Sequence, residues 1–169
     1  MKDESVNRFT REKRITDAIS PILSVRVPRI KLHTVGIYTV YESEFIPGRI
    51  LMDLPLKQIL GHRTEIGQEL GKIIYILHNA KCPELNDMCT DMADDVGIIH
   101  GDMCSNILVN PDTMQITGII DWEYARFDSV KNEFFGLFRV RRKMRLTDIA
   151  PIAMCEYYEL AHKHLTKTE

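Results

Sequence analysis

The sequence predicts a single α+β domain. Three stretches carry apolar residues at helical spacing, and short β-rich runs occur in two neighbouring pairs. With 169 residues, the chain is long enough to bury one hydrophobic core and short for two. Hydrophobic residues make up 44% and charged residues 27%, as in an ordinary globular protein.

Composition and charge exclude several classes of protein. The net charge of −2 gives no electrostatic footprint for a nucleic-acid partner. Apolar runs stay below 18 residues and the first residues are polar, so we expect no membrane span, no secretion and a cytoplasmic location. The irregularly spaced cysteines should be free thiols, and no zinc site is expected, because the histidines are not paired with them at ligand spacing. These cysteines are Cys82, Cys89, Cys104 and Cys155.

The first elements are a helix and two strands. Residues Ser5 to Ile19 have an imperfect apolar face, with Pro21 beyond the end, which predicts a helix. Two β-rich runs follow, Arg29–His33 and Ile37–Phe45, with a turn at Gly36. The Pro-Gly pair in residues 46–49 predicts a loop.

Two longer helices follow. Apolar residues at 66, 70, 73, 74 and 77 predict a helix over Thr64–His78 with one buried face, although two internal glycines weaken it. Residues 81–96 are polar and irregular, which predicts a loop with room for a short helix. Residues Ile149–Leu165 again have helical character, and Pro151 is tolerated in the first turn.

Between these helices, residues 98–138 contain the most informative segment. The runs 106–109 and 115–120 are β-forming and flank the turn residues NPDTM, so they predict an antiparallel hairpin. A turn centred near residue 112 would place 106 opposite about 119 and 104 opposite about 121. Asn106 and Asp121 would then lie at the same end of the ladder.

This end of the hairpin has the residue types that metal-assisted phosphoryl transfer needs. Asp121 and Asn106 would supply a carboxylate and an amide to Mg²⁺, and Asp102 could accept the proton of an attacking hydroxyl. His100 is better suited to fixing the loop than to acting as the base. Taken singly, the acidic and amide residues could be turn formers and His100 a core histidine, but taken together they favour catalysis.

The segment HGDMCSNILV followed by ITGIIDWEYA resembles the catalytic loop and metal-binding segment of the aminoglycoside phosphotransferase and choline-kinase-like enzymes. These are relatives of the eukaryotic protein kinases. VRVPRI, YESEFIPGRIL and LGKIIYILHN resemble the family more weakly. The resemblance implies a protein-kinase-like fold, in which residues 1–48 form a reduced N-lobe and hinge, with one helix and two or three antiparallel strands. Residues 49–169 would form a mostly helical C-lobe with a catalytic β-hairpin.

The resemblance also assigns roles to residues around the loop. It makes Asp102 the catalytic aspartate, His100 the histidine that orients the loop, and Asn106 and Asp121 the Mg²⁺ ligands. It implies ATP as co-substrate and a hydroxyl group of a small molecule as phosphate acceptor.

Further residues are assigned in the N-terminal part. Glu44, Phe45 and Ile46 correspond to the hinge that meets adenine. Glu12 is a candidate for the helix glutamate that pairs with a phosphate-binding lysine.

Three departures from the family pattern stand out. Only three residues, rather than four, separate Asp102 from Asn106, and Glu133 stands where an aspartate is usual. The first glycine is Gly36, so the glycine-rich phosphate loop and the strand with the lysine are not found ahead of the first helix. We therefore expect a truncated N-lobe.

The departures leave alternatives open. The chain could be a working phosphotransferase, or a pseudokinase or truncated remnant that binds nucleotide or a partner without turnover. A third possibility is that a complementing chain or a homo-oligomer supplies the missing part.

A basic run follows the metal-binding segment, and it could be a solvated face or a contact for phosphate or an anionic substrate. It comprises Arg139, Arg141, Arg142, Lys143 and Arg145.

Overall fold

The computed structural model describes residues 2–89, 95–138 and 148–166, and the basic run lies outside them. Within these ranges the chain forms five α-helices and seven short strands. In order they are α1 (Lys2–Ile19), β1 (Ile30–Val35), β2 (Tyr38–Ser43), β3 (Arg49–Ile50), α2 (Leu56–Gly61), α3 (Arg63–His78), β4 (Val96–Ile99), β5 (Ile107–Val109), β6 (Ile116–Ile119), β7 (Arg126–Ser129), α4 (Val130–Phe138) and α5 (Ala150–Leu165).

The predicted N-terminal helix and strand pair are confirmed. β1 and β2 pair antiparallel from Ile30 opposite Ser43 to Val35 opposite Tyr38. Gly36 adopts a φ of 60° at the turn, a conformation that glycine reaches without strain. α1 packs beside this hairpin, with the rings of Phe9 and Tyr41 4.9 Å apart.

The second predicted hairpin is present, with a register one residue away from the prediction. β5 and β6 pair antiparallel with Ile107 opposite Ile119, and the Ile120 N–H donates to the Asn106 carbonyl at 3.0 Å. Asn106 therefore lies opposite residue 120 and not 119. The difference arises from a register shift between Leu108 and Val109. β3 extends this sheet on the β5 side, in the segment that was predicted to be a loop up to Arg49.

The hydrophobic core is centred on α3. The five apolar positions predicted for its buried face, at 66, 70, 73, 74 and 77, are all buried. Burying one such side chain stabilises the fold by about 1.5–3 kcal/mol. The indole of Trp122, just past the β5–β6 hairpin, is fully buried in the same core. The core thus joins α3 directly to the segment that bears Asp121.

The predicted loop over residues 81–96 contains a 3₁₀ turn at Pro83–Met88, and its last residue begins β4. No disulfide joins the four cysteines, all of which lie in the described ranges. None of the described helices combines the length and the apolar character that a membrane span requires.

Candidate active site

The loop that follows β4 brings Asp102 and Asn106 together. Met103–Ser105 form a single 3₁₀ turn, closed by a hydrogen bond from the Asn106 N–H to the Met103 carbonyl at 3.0 Å. The Asn106 side-chain Nδ2 then donates to the Asp102 carbonyl at 2.9 Å and lies 3.5 Å from the Asp102 carboxylate. The spacer of three residues is therefore long enough to return Asn106 to Asp102.

His100 connects this loop to the β5–β6 hairpin. The ring is fully buried. Its Nδ1 lies 3.2 Å from the Asp102 backbone nitrogen, and its Nε2 lies 2.9 Å from the Ile120 carbonyl oxygen. Nδ1 must accept and Nε2 must donate, so the ring is neutral, and burial lowers its pKa to about 4. Such a histidine orients the residues immediately before Asp121 and at Asp102, which supports the predicted positioning role.

Glu133, the residue found in place of the usual aspartate, supports the same loop from α4. Its buried Oε2 accepts hydrogen bonds from the backbone N–H groups of His100, at 2.5 Å, and Gly101, at 3.2 Å. Burial raises the pKa of this carboxyl group to about 7, against the opposing effect of those N–H donors. The longer glutamate side chain thus still reaches the backbone of the loop after β4.

Asp121 lies at the end of the hairpin with a φ of 60°, an uncommon conformation for a residue with a side chain. Although the residue is exposed, partial desolvation of its carboxyl group raises its pKa, and the carboxylates of Glu123 and Asp102 act in the same direction. Asp102 and Asp121 therefore repel each other, which a cation between them would relieve.

α1 holds the segment after Asp121 through three side chains. Glu12 accepts the Trp122 N–H at 3.2 Å, Arg11 donates to the Ala125 carbonyl at 2.6 Å, and Arg8 pairs with Glu123 at 2.9 Å. Burial raises the pKa of Glu12, which also accepts a hydrogen bond from Tyr41. In the part of the chain that the structure describes, no lysine pairs with Glu12.

A cleft of about 520 Å³ connects Asp121 with the residues predicted to form the hinge. Glu44, Phe45 and Ile46 line it together with residues of α1, β2 and the hairpin. Phe45 is 81% exposed, whereas the Ile46 side chain is buried. A larger cavity of about 810 Å³ near the carboxyl end of α3 contains none of the predicted site residues. The smaller cleft is therefore the candidate site.

The donor groups at this end of the hairpin, Asp121 in the cleft and the neighbouring Asn106, fit Mg²⁺. Within the described ranges no cluster of three or more histidine, cysteine or acidic residues could hold a metal ion. Mg²⁺ needs only one or two protein oxygens, because water and phosphate supply the others. Asn106 uses its amide nitrogen on the Asp102 carbonyl, so its amide oxygen and the Asp121 carboxylate are the natural pair of ligands.

Sequence reasoning missed several residues that support the site. Trp122 packs its ring against His100 with centroids 4.5 Å apart, and Arg8 and Arg11 bind the segment after Asp121. Trp122 could have been found, because a large aromatic residue directly after the predicted ligand Asp121 is apparent in the sequence. The two arginines carried no signal, because their partners lie more than 100 residues away along the chain.

Comparison with known proteins supports the same conclusion. The model of the phosphotransferase enzyme family matches residues 79–159. No curated protein matches the chain in sequence. The gentamicin complex of APH(2")-IIa superposes with a TM-score of 0.65 at 12% identity, over 89% of this chain and 66% of that one.

Two further structures give similar agreement. Macrolide 2'-phosphotransferase MphH from Brachybacterium faecium superposes with a TM-score of 0.64 at 16% identity, over 92% of this chain and 65% of that one. The streptomycin-ATP-APH(2")-IIa ternary complex superposes with a TM-score of 0.70 at 12% identity, over 95% of this chain and 69% of that one. The chain thus spans about two thirds of the length of these proteins. Its fold is the protein-kinase-like fold of the aminoglycoside and macrolide phosphotransferases, and the predicted resemblance to that family is confirmed.

Proposed function

We propose that this protein is a phosphotransferase that uses ATP and Mg²⁺ to phosphorylate a hydroxyl group of a small molecule. The observation that carries the proposal is that Asp102 and Asn106 share one loop next to Asp121, which lines a cleft together with the predicted hinge residues. An ATP-dependent reaction also agrees with the predicted cytoplasmic location.

In the proposed reaction, the acceptor hydroxyl attacks the γ-phosphorus of ATP, its proton passes to the Asp102 carboxylate, and ADP leaves. Asn106 and Asp121 would hold Mg²⁺, which neutralises phosphate charge when bound. Ser105 donates a hydrogen bond to Asp102 Oδ2 at 3.1 Å and so fixes the orientation of the base. His100 and Glu133 hold the backbone on which Asp102 stands.

The acceptor is proposed only as a class. Two of the similar structures contain the aminoglycosides gentamicin and streptomycin, and one of those also contains ATP. A third is a macrolide phosphotransferase. We propose an alcohol of comparable size for this chain, bound between the N-lobe of residues 1–48 and the C-lobe of residues 49–169.

A second candidate is a module that binds nucleotide without turnover. Glu12 favours it, because its partners in the described part of the chain are Tyr41 and the Trp122 N–H and not a lysine. A site that lacks this cation would be expected to stabilise the transferring phosphate less well.

Calorimetric titration of ATP with Mg²⁺ tests the proposal. We expect binding that depends on Mg²⁺ and weakens about tenfold or more in Asp121→Asn, because the variant loses a charged metal ligand. Asp112→Asn, the same change at an exposed turn residue outside the cleft, should bind like the wild type.

Transfer of phosphate is then measured across a panel of alcohols, including aminoglycosides. Asp102→Asn should keep binding and lose transfer. Binding without transfer to any acceptor supports the second candidate. No binding at millimolar ATP would overturn both.

A further inference from the structure

The candidate cleft has an unusual balance of charge. Four carboxyl groups line it, those of Glu12, Glu44, Asp121 and Glu123. Among the lining residues that the structure describes, Arg8 is the single cation. A nucleotide brings several negative charges into this cleft, so it needs a positive group in addition to a metal ion.

Arg8 lies at the end of the cleft that contains Asp121, the proposed metal ligand, and not at the end formed by the predicted hinge residues. Its Nη1 is 2.9 Å from Glu123 Oε2, two residues after Asp121. Arg8 and Asp121 line this cleft together. The Arg8 guanidinium also lies over the Phe9 ring, 5.4 Å from the centroid.

We propose that Arg8 binds the phosphate groups of the nucleotide, and that Glu123 occupies its guanidinium until the nucleotide arrives. This inference rests on the proposed function and adds to it the cation that the first helix supplies. A guanidinium can bind phosphate through two parallel hydrogen bonds, and phosphate carries more negative charge than a carboxylate.

The exchange of partners is energetically reasonable. The Arg8 side chain is 53% exposed and that of Glu123 is 21% exposed, and an ion pair with one partner so open to water contributes little to stability. The arginine can therefore leave Glu123 at small cost.

Titrations with ATP, ADP and adenosine, each with Mg²⁺, test the role of Arg8. Arg8→Gln should weaken ATP and ADP binding about tenfold or more and leave adenosine binding unchanged, because adenosine has no phosphate. Arg8→Lys should restore part of the loss. Arg14→Gln is the matched control, since Arg14 lies on the same helix but pairs with Asp87 outside the cleft.

A double-mutant cycle tests the role of Glu123. Glu123→Gln alone should tighten ATP binding a few-fold, because Arg8 is already released. In Arg8→Gln the same change should have no effect if Glu123 acts through Arg8. A gain that persists there would mean that Glu123 acts only as a nearby negative charge and would overturn this part.

The outcomes separate the inference from the proposed function. If the wild type binds ATP and Arg8→Gln binds it with the same affinity, the inference is overturned and the proposed function stands. An equal loss for adenosine would also overturn it, since Arg8 would then support the fold rather than the phosphates. A wild-type chain that binds no nucleotide would overturn the function itself.

Discussion

His100 and Glu133 hold the same short backbone segment, and both are buried titratable groups. His100 binds the Asp102 N–H and the Ile120 carbonyl, and Glu133 binds the N–H groups of His100 and Gly101. Burial lowers the pKa of His100 to about 4 and raises that of Glu133 to about 7. Both groups therefore favour their neutral forms, and the geometry around Asp102 depends on them.

Their effects on stability oppose each other as pH changes. Between pH 4 and 6.5 the unfolded chain binds more protons at residue 100, so the His100 contribution falls as the pH is lowered. Between pH 4.5 and 7 the folded chain binds more protons at residue 133, so the Glu133 contribution falls as the pH is raised. Between pH 4.5 and 6.5, where the two ranges overlap, the two contributions to the free energy of unfolding change in opposite directions and partly cancel.

We predict that Glu133→Gln reveals the His100 slope. The glutamine carbonyl can still accept both N–H groups, but the side chain no longer titrates. The free energy of unfolding, measured with urea at several pH values, should then rise more steeply from pH 4 to 6.5 than in the wild type. The difference should be roughly 1–3 kcal/mol across the range. Glu65→Gln, at an exposed position of α3, should leave the slope unchanged, and an unchanged slope in Glu133→Gln would contradict the prediction.

At the scale of elements, two glycines determine how closely α3 and α5 pack. A Cβ atom added at Gly67 would lie 2.7 Å from Ile152, and one added at Gly71 would lie 2.4 Å from the Ala153 carbonyl oxygen. From the sequence alone, these glycines are expected only to weaken the helix. In the fold they provide the space for the helix that crosses them.

Gly71→Ala should therefore destabilise the protein although alanine is the better helix former. The clash is with backbone, which cannot move aside cheaply, so we expect a loss of about 1–3 kcal/mol. Gly136→Ala is the control, because a Cβ there meets no atom within 4 Å. It should stabilise α4 by about 0.5–1 kcal/mol. Chemical denaturation of both variants measures the difference, and similar stabilities would contradict this role for Gly71.

Helical periodicity was sufficient to predict α1, α3 and α5, because each has 16 residues or more and buries one face. Short elements such as β3, with two residues, carry no periodic signal. The hairpin was predictable from its turn residues, but the register shift at Leu108 and Val109 was not. Such a shift depends on how the turn packs and not on which residues form strands.

At the scale of the whole molecule, α1 joins two distant regions to each other. Arg14 binds Asp87 and the Glu84 carbonyl in the 3₁₀ turn at Pro83–Met88. Arg11 and Glu12 bind the backbone of Ala125 and Trp122, just after Asp121. The candidate residues of the loop were predictable as a local motif. The helix α1 was predictable too, but its support of the loop was not, because the contacts of Arg11 and Glu12 join residues more than 100 positions apart.

We predict that the proposed affinity for nucleotide depends on a helix contact outside the loop of Asp102 and Asn106. Arg11→Met keeps the length of the side chain and removes its hydrogen bond to the Ala125 carbonyl. A hydrogen bond from a charged donor contributes about 1.5–3 kcal/mol. Amide hydrogen exchange should therefore become faster over residues 121–125, and the affinity for ATP with Mg²⁺ should fall several-fold, because Asp121 is held less firmly.

Arg14→Met is the matched comparison, since it removes the other anchor of the same helix and leaves the contacts after Asp121 intact. It should lower the melting temperature without faster exchange at 121–125 and without weaker nucleotide binding. If both variants lose affinity equally, α1 contributes only general stability. If only Arg11→Met loses it, the position of α1 is transmitted to Asp121 through the Ala125 carbonyl.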